Sequence, residues 1–326
     1  MTPGRRGPAI RIFISLAAIG LILYFLRSKL GEAFLILRHG VTWPWFLAAV
    51  GLYGVCLLVL GTRLFYVFRV QQLGLSLGQS LYLSFLGIFF NLFFPSAVGG
   101  DVAKAYYAYK YSGKKIASTT AVLLDRLLGF VALMVMALVA LFFFSKELND
   151  SNVNRIIYAF LGLMLFTLFF FSSRRFARSF QFLLVLIPEK WRARLADVYQ
   201  AIYYYKNHTG TLVWTLFLSV IVQSLVVVVH YWVVLSLGVN LPIALFFIFV
   251  PLVTIVSMAP SVSGLGVREA GVIYFFSRFM PPERALALSL LLDILVYSYS
   301  FASGVVYAIR GGLKGKEAIH EMEELQ

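Results

Sequence analysis

Repeated apolar runs of about 20 residues dominate this chain, and only a bundle of membrane helices accommodates so many of them. An α-helix rises about 1.5 Å per residue, so about 20 apolar residues cross the roughly 30 Å hydrocarbon core. Runs of that kind occupy 11–27, 41–63, 117–145, 155–173, 209–237 and 284–309. In hydrocarbon each spanning segment must satisfy its own backbone N–H and C=O groups, which makes these runs helical. Composition agrees, with 61% apolar residues, 13% charged residues and a mean hydropathy of +0.87. Soluble domains carry about 45–50% and about 25% respectively. The expected fold class is all-α and polytopic, with about six spanning helices.

Two further apolar stretches, 78–95 and 243–260, each end in a Pro-Ser-Gly cluster followed by a short helical segment, 101–111 and 266–280. The two clusters read as copies. The first is Pro95-Ser-Ala-Val-Gly-Gly-Asp-Val-Ala-Lys-Ala105, and the second is Pro260-Ser-Val-Ser-Gly-Leu-Gly-Val-Arg-Glu-Ala270. Each precedes a Leu-Leu-Asp step, at Leu123-Leu124-Asp125 and Leu291-Leu292-Asp293. Paired Gly/Pro interruptions in corresponding halves mark the binding sites of many transporters. The expectation is therefore two re-entrant helical hairpins in an inverted repeat. The halves run approximately 10–173 and 207–312, joined by 174–206 and followed by a short polar tail, 313–326. In 174–206, Trp191, Leu195, Val198, Ile202 and Tyr205 recur at helical spacing opposite Arg192, Arg194 and Asp197, which predicts an amphipathic elbow on the membrane surface.

Charge limits the function classes. The net charge is +14, and the basic residues fall mainly between apolar runs rather than in one cluster, which excludes a nucleic-acid surface. Their distribution suits contact with anionic lipids and places both termini in the cytoplasm, with Arg63, Arg69 and Lys104 counted on that side. Cys56 is the one cysteine and the four histidines are scattered, so no disulfide framework, metal motif or cofactor is expected. Basic residues up to Arg11 followed by Ile12–Phe25 lack a clear cleavage site and read as an uncleaved first span.

Seven ionisable residues lie in or beside the apolar segments: Asp101, Lys104, Asp125, Arg126, Arg268, Glu269 and Asp293. A charge at the centre of a span costs about 2.5–3.5 kcal/mol on insertion scales, so such groups need partners or a wet cavity. Asp101 and Lys104 share a helical face and can pair, whereas Asp125 and Arg126 point about 100° apart and each needs a partner from another helix. Gly99-Gly100-Asp101 and Gly264-Leu265-Gly266 lead into helix starts whose N–H groups suit an anion. Ser96 and Ser261 adjoin them as caps or head-group contacts. The candidate substrate-binding set is Ser96, Gly99, Gly100, Asp101, Lys104, Asp125, Arg126, Ser261, Gly264, Gly266, Arg268, Glu269 and Asp293. Gln223 and His230, seven apart on one face, predict packing or a cavity wall.

At these residues the sequence resembles the flippase-like transmembrane family named after lysylphosphatidylglycerol synthase. The matching features are Asn91-Leu-Phe-Phe-Pro-Ser-Ala-Val-Gly-Gly-Asp101 with Lys104, Asp125-Arg126 with Gly129, and Pro260–Ala270. The resemblance spans roughly 10–312. It implies a bacterial or archaeal inner-membrane protein that handles phospholipids or polyprenyl-linked lipids through a shared polar centre. Bifunctional members of that family add a soluble aminoacyl-transfer domain. This chain ends at Gln326, so lysyl transfer is not expected of it.

The expected function is movement of a lipid head group between leaflets, without enzymatic activity. The expected partners are membrane lipids, anionic or phosphate-bearing, with a second copy or an envelope-biosynthesis enzyme also open. Two alternatives remain: a membrane-embedded transferase or hydrolase using Asp125 or Glu269 as base, and a non-catalytic partner of a cell-envelope or hopanoid pathway.

Overall fold

The computed structural model describes residues 30–93, 99–144, 162, 208–257 and 266–310. Among the described residues there are nine helices. They are α1 (Leu30–His39), α2 (Trp43–Val70), α3 (Leu77–Phe93), α4 (Gly99–Ser112), α5 (Lys115–Phe144), α6 (Thr209–Ser236), α7 (Ile243–Val256), α8 (Val267–Phe276) and α9 (Pro282–Ile309). Trp43–Val70, Lys115–Ala140, Thr209–Ser236 and Pro282–Ile309 are long and apolar enough to cross a membrane. Leu77–Leu92 and Ile243–Val256 are shorter apolar helices. The protein is an all-α polytopic membrane protein. Four of the six predicted spans are thus present. The expected spans 11–27 and 155–173 (Gly162 apart), the elbow 174–206, the tail 313–326 and the tips 94–98 and 258–265 lie outside the described residues.

Local chemistry sets several helix ends. Pro44 and Pro282 sit in the first turns of α2 and α9, where a missing N–H costs nothing. After α2 the chain turns through Gln72 and Gly74, both at positive φ. Pro251 lies inside α7 and cannot donate to the Phe247 carbonyl, a local weakness in that helix.

α2–α5 and α6–α9 repeat one packing scheme. In each set the first helix packs on the second, the second on the third, the third on the fourth, and the first on the fourth. Each set has an apolar core. Leu64, Phe68, Leu86 and Tyr106 belong to the first core. Phe249, Phe276 and Leu288 belong to the second, which also recruits Phe46 and Ala49 from the start of α2.

The sets interlock through α2 against α6, and α3 against α9. Thr42 N–H donates to Ser236 O (2.7 Å) at one end of the α2–α6 pair, and Arg63 Nη1 donates to Ser219 Oγ (3.0 Å) nearer the other, so these helices run antiparallel. Ser303 Oγ donates to Phe85 O (2.6 Å) and Ser300 Oγ to Ile88 O (3.3 Å), so α3 and α9 also run antiparallel. Gly304 permits this approach, because an added Cβ would collide with the Phe89 ring.

Aromatic pairs flank the α2–α6 seam. Trp45 meets Trp232 at one end (6.2 Å) and Tyr66 meets Trp214 at the other (6.3 Å). Trp45 and Tyr66 are separated by roughly 30 Å of helix, the thickness of a hydrocarbon core with aromatic belts at its faces. Large apolar side chains such as Phe217, Ile294 and Phe301 face outward, as lipid contact requires.

Arg63 and Lys104, expected among the cytoplasmic cations that flank the spans, instead lie within the helix bundle. α2 continues for seven residues beyond the predicted end of its span, and the Arg63 side chain is only 5% exposed. Lys104 sits inside α4 beside Asp101. The positive-inside rule applies to cations flanking the spans, so neither informs orientation.

Candidate functional site

The ionisable residues form three clusters, each joining different helices. The first is closed. Arg63 Nε donates to Asp125 Oδ1 at 2.7 Å, and Arg63 Nη1 reaches Ser219, which ties α2, α5 and α6 together. Both charged side chains are at most 6% exposed. Asp125 thus has its partner on another helix, as its direction required. That partner, Arg63, was missed as a site residue because it stands at the edge of an apolar run.

The second cluster lies at the start of α4. Arg126 Nη1 donates to Asp101 Oδ2 at 2.5 Å, and Lys104 Nζ donates to Asp101 Oδ1 at 3.2 Å. Arg126 also stands 5.6 Å from the centre of the Phe130 ring. Gly99 and Gly100 are buried where α4 meets α3. A Cβ at Gly100 would collide with the Gly87 carbonyl and lie 2.7 Å from Asn91 Oδ1. Asn91 accepts the Gly100 N–H at 2.7 Å, so one of the donors expected to face an anion is already taken. Asn91 stands in the sequence motif, yet hydropathy alone gave it no role.

The third cluster mirrors the second with the charges exchanged. Arg268 on α8 pairs through Nη2 with Asp293 on α9, and through the same nitrogen with Glu269 at 3.3 Å. In one set the short helix supplies the acid and the long helix the base; in the other the roles are reversed. Both pairs span 25 residues of sequence. Gly266 precedes α8 at φ +80°, a conformation that glycine adopts without strain.

Arg126 and Arg268 come together. Both line one cavity of about 270 Å³, with Asn91, Thr254, Ser257 and Tyr297 among its other walls. Their side chains are 24% and 22% exposed, against 5% for Arg63, which separates cations that face open space from one locked in the packing. Tyr53 also lines the cavity and lies on α2 between the Trp45–Trp232 and Tyr66–Trp214 pairs. A neighbouring cavity of about 110 Å³ shares Tyr53, Thr254, Ser257 and Arg268 and adds His230.

His230 places Nδ1 2.8 Å from Val226 O, and Gln223 Nε2 donates to Gly129 O at 3.4 Å. The predicted face is thus a cavity wall at one residue and a packing contact at the other. Ser96, Ser261 and Gly264 lie outside the described residues.

This arrangement presents two guanidiniums to one polar cavity, each tethered by a carboxylate that an incoming anion would have to replace. Such forks match a phosphate bidentately. Comparison with curated proteins gives no match. A family model does match, the lysylphosphatidylglycerol synthase TM region, over residues 8–304. That covers most of the chain, including α1–α8 and much of α9, and the protein belongs to the lysylphosphatidylglycerol synthase transmembrane-region family.

Proposed function

We propose that the protein moves lipids with phosphate-bearing head groups between leaflets, holding the phosphate between Arg126 and Arg268. The observation that carries this reading is the shared cavity lined by both guanidiniums. Family membership supports a role in membrane lipid handling. Binding would exchange the Asp101 and Asp293 carboxylates for phosphate oxygens, so contacts to the ligand would have to offset the two tethers lost.

The two packing sets act as inverted halves in this proposal, with α3–α4 and α7–α8 as the re-entrant hairpins. The antiparallel course of α2 and α6, the first helices of the two sets, supports that relation. Rocking of one set on the other would expose the cavity to each leaflet in turn. The basic residues between the apolar runs of the sequence favour a cytoplasmic-membrane protein with both termini inside.

Reconstitution into vesicles with a fluorescent phospholipid tests the proposal. Arg126→Ala and Arg268→Ala should each abolish accelerated translocation while the purified variants keep wild-type helicity. Unchanged translocation in both would refute the site. Turnover of radiolabelled lipid into a new product in detergent would instead favour a transferase or hydrolase.

A further inference from the structure

The two cavity-facing clusters have opposite charge balances. Around Asp101 two cations, Lys104 and Arg126, share one carboxylate. Around Arg268 two carboxylates, Glu269 and Asp293, share one guanidinium. Among the described residues the first cluster counts two cations against one carboxylate. The second has a spare negative charge, and phosphate arriving at Arg268 would leave two carboxylates without their cation inside a membrane. A proton bound to one of the two carboxyls leaves a single charge that the pair can share, which reduces that penalty.

A second observation locates the proton. Glu269 is 8% exposed, and its Oε2 is buried with no hydrogen-bond partner among the described residues, although Oε1 meets Arg268. A buried ionised oxygen without a donor is unfavourable, whereas a protonated carboxyl has an O–H of its own to donate. The Tyr297 hydroxyl, on a side chain that lines the cavity, is likewise buried.

Among the described residues, few other titratable groups stand near this cluster. α8 packs on α7 and α9. α7 has no titratable side chain, and α9 brings Asp293 and Tyr297 to this cluster. The intervening residues 258–265 include no ionisable type. Across the cavities stand Tyr53 on α2, His230 on α6 and Arg126 on α5.

We propose that the Glu269–Asp293 carboxyl pair beside Arg268 is a proton-binding site, and that a phosphate reaching Arg268 draws one proton onto it. The proposal rests on the phosphate reading above. The proton comes from water reaching the cavity, bonds to a carboxylate oxygen of the pair and leaves when the phosphate departs. Lipid movement is then linked to proton movement, and a pH difference across the membrane biases its direction.

Short-chain phosphatidylglycerol, a phosphodiester that does not itself take up protons near neutrality, is the probe. It is titrated into purified protein in weakly buffered detergent containing a pH indicator, while binding is followed by calorimetry. The expected result is uptake of about one proton per lipid bound, as linkage between the two sites requires. Uptake should vanish in Glu269→Gln/Asp293→Asn. Lipid binding without proton uptake by the wild-type protein anywhere between about pH 5 and 9, the range over which buried carboxyls titrate, would overturn the proposal. Undiminished uptake by the double variant would overturn its assignment to this pair. Failure of the wild-type protein to bind the lipid at all would overturn the phosphate reading beneath it.

Discussion

Arg63 and Arg126 show how burial divides similar side chains between structure and binding. Arg63 is closed in by Asp125 and Ser219 on two other helices, so its removal strands a buried carboxylate. Loss of one partner from such a pair typically costs about 3–5 kcal/mol. Arg63→Met should therefore lower stability by about that much in reversible detergent unfolding. Adding Asp125→Leu should recover a large part of it, because no charge is then left unpaired. Arg126→Ala should cost less stability, since its side chain already faces the cavity, and should act chiefly on lipid handling. Equal destabilisation by both arginine substitutions would contradict this division.

At the scale of the element, close approach of backbones determines where the charged residues meet. α3 and α4 touch at Gly87 and Gly100, and the Lys104 stem lies against Gly87. Gly100→Leu would force α4 away from α3, displacing Asp101 from Arg126. A spin-label distance between α3 and α4 should lengthen in that variant, and translocation should fall with it. The same distance with wild-type transport would show that the contact is dispensable. Ser303→Ala removes a hydroxyl donor to Phe85 O on the opposite set and should cost about 1 kcal/mol, the usual net value of one hydrogen bond.

Much of this architecture was legible in the sequence, because lipid leaves the backbone few options. The runs at 41–63, 117–145, 209–237 and 284–309 became α2, α5, α6 and α9, and the two interrupted stretches became α3–α4 and α7–α8. α1 was not foreseen: it has ten residues and carries Glu32, Arg38 and His39, so it lacks the unbroken hydropathy of a span. Spacing anticipated the Asp101–Lys104 pair, because i and i+3 share a helical face. It could not reveal that Asp125 meets Arg63 or that Arg268 meets Asp293. Those pairings depend on which helices become neighbours, and hydropathy contains no such information.

For the molecule as a whole, two four-helix sets with matching packing schemes enclose a cavity to which each contributes one arginine. The charge exchange between Asp101–Arg126 and Arg268–Asp293 keeps the short-to-long helix tether in both sets while leaving their balances opposite. In the proposed mechanism the Asp101 set would attract the anion and the Arg268 set would respond to it by taking up a proton. The proposed mechanism requires one phosphate-bearing lipid to occupy this cavity and touch both arginines. Native mass spectrometry of the purified protein measures this directly. The wild-type chain should retain one such lipid, and Arg126→Ala and Arg268→Ala should each lose it. The same lipid at the same occupancy in both variants would contradict the claim.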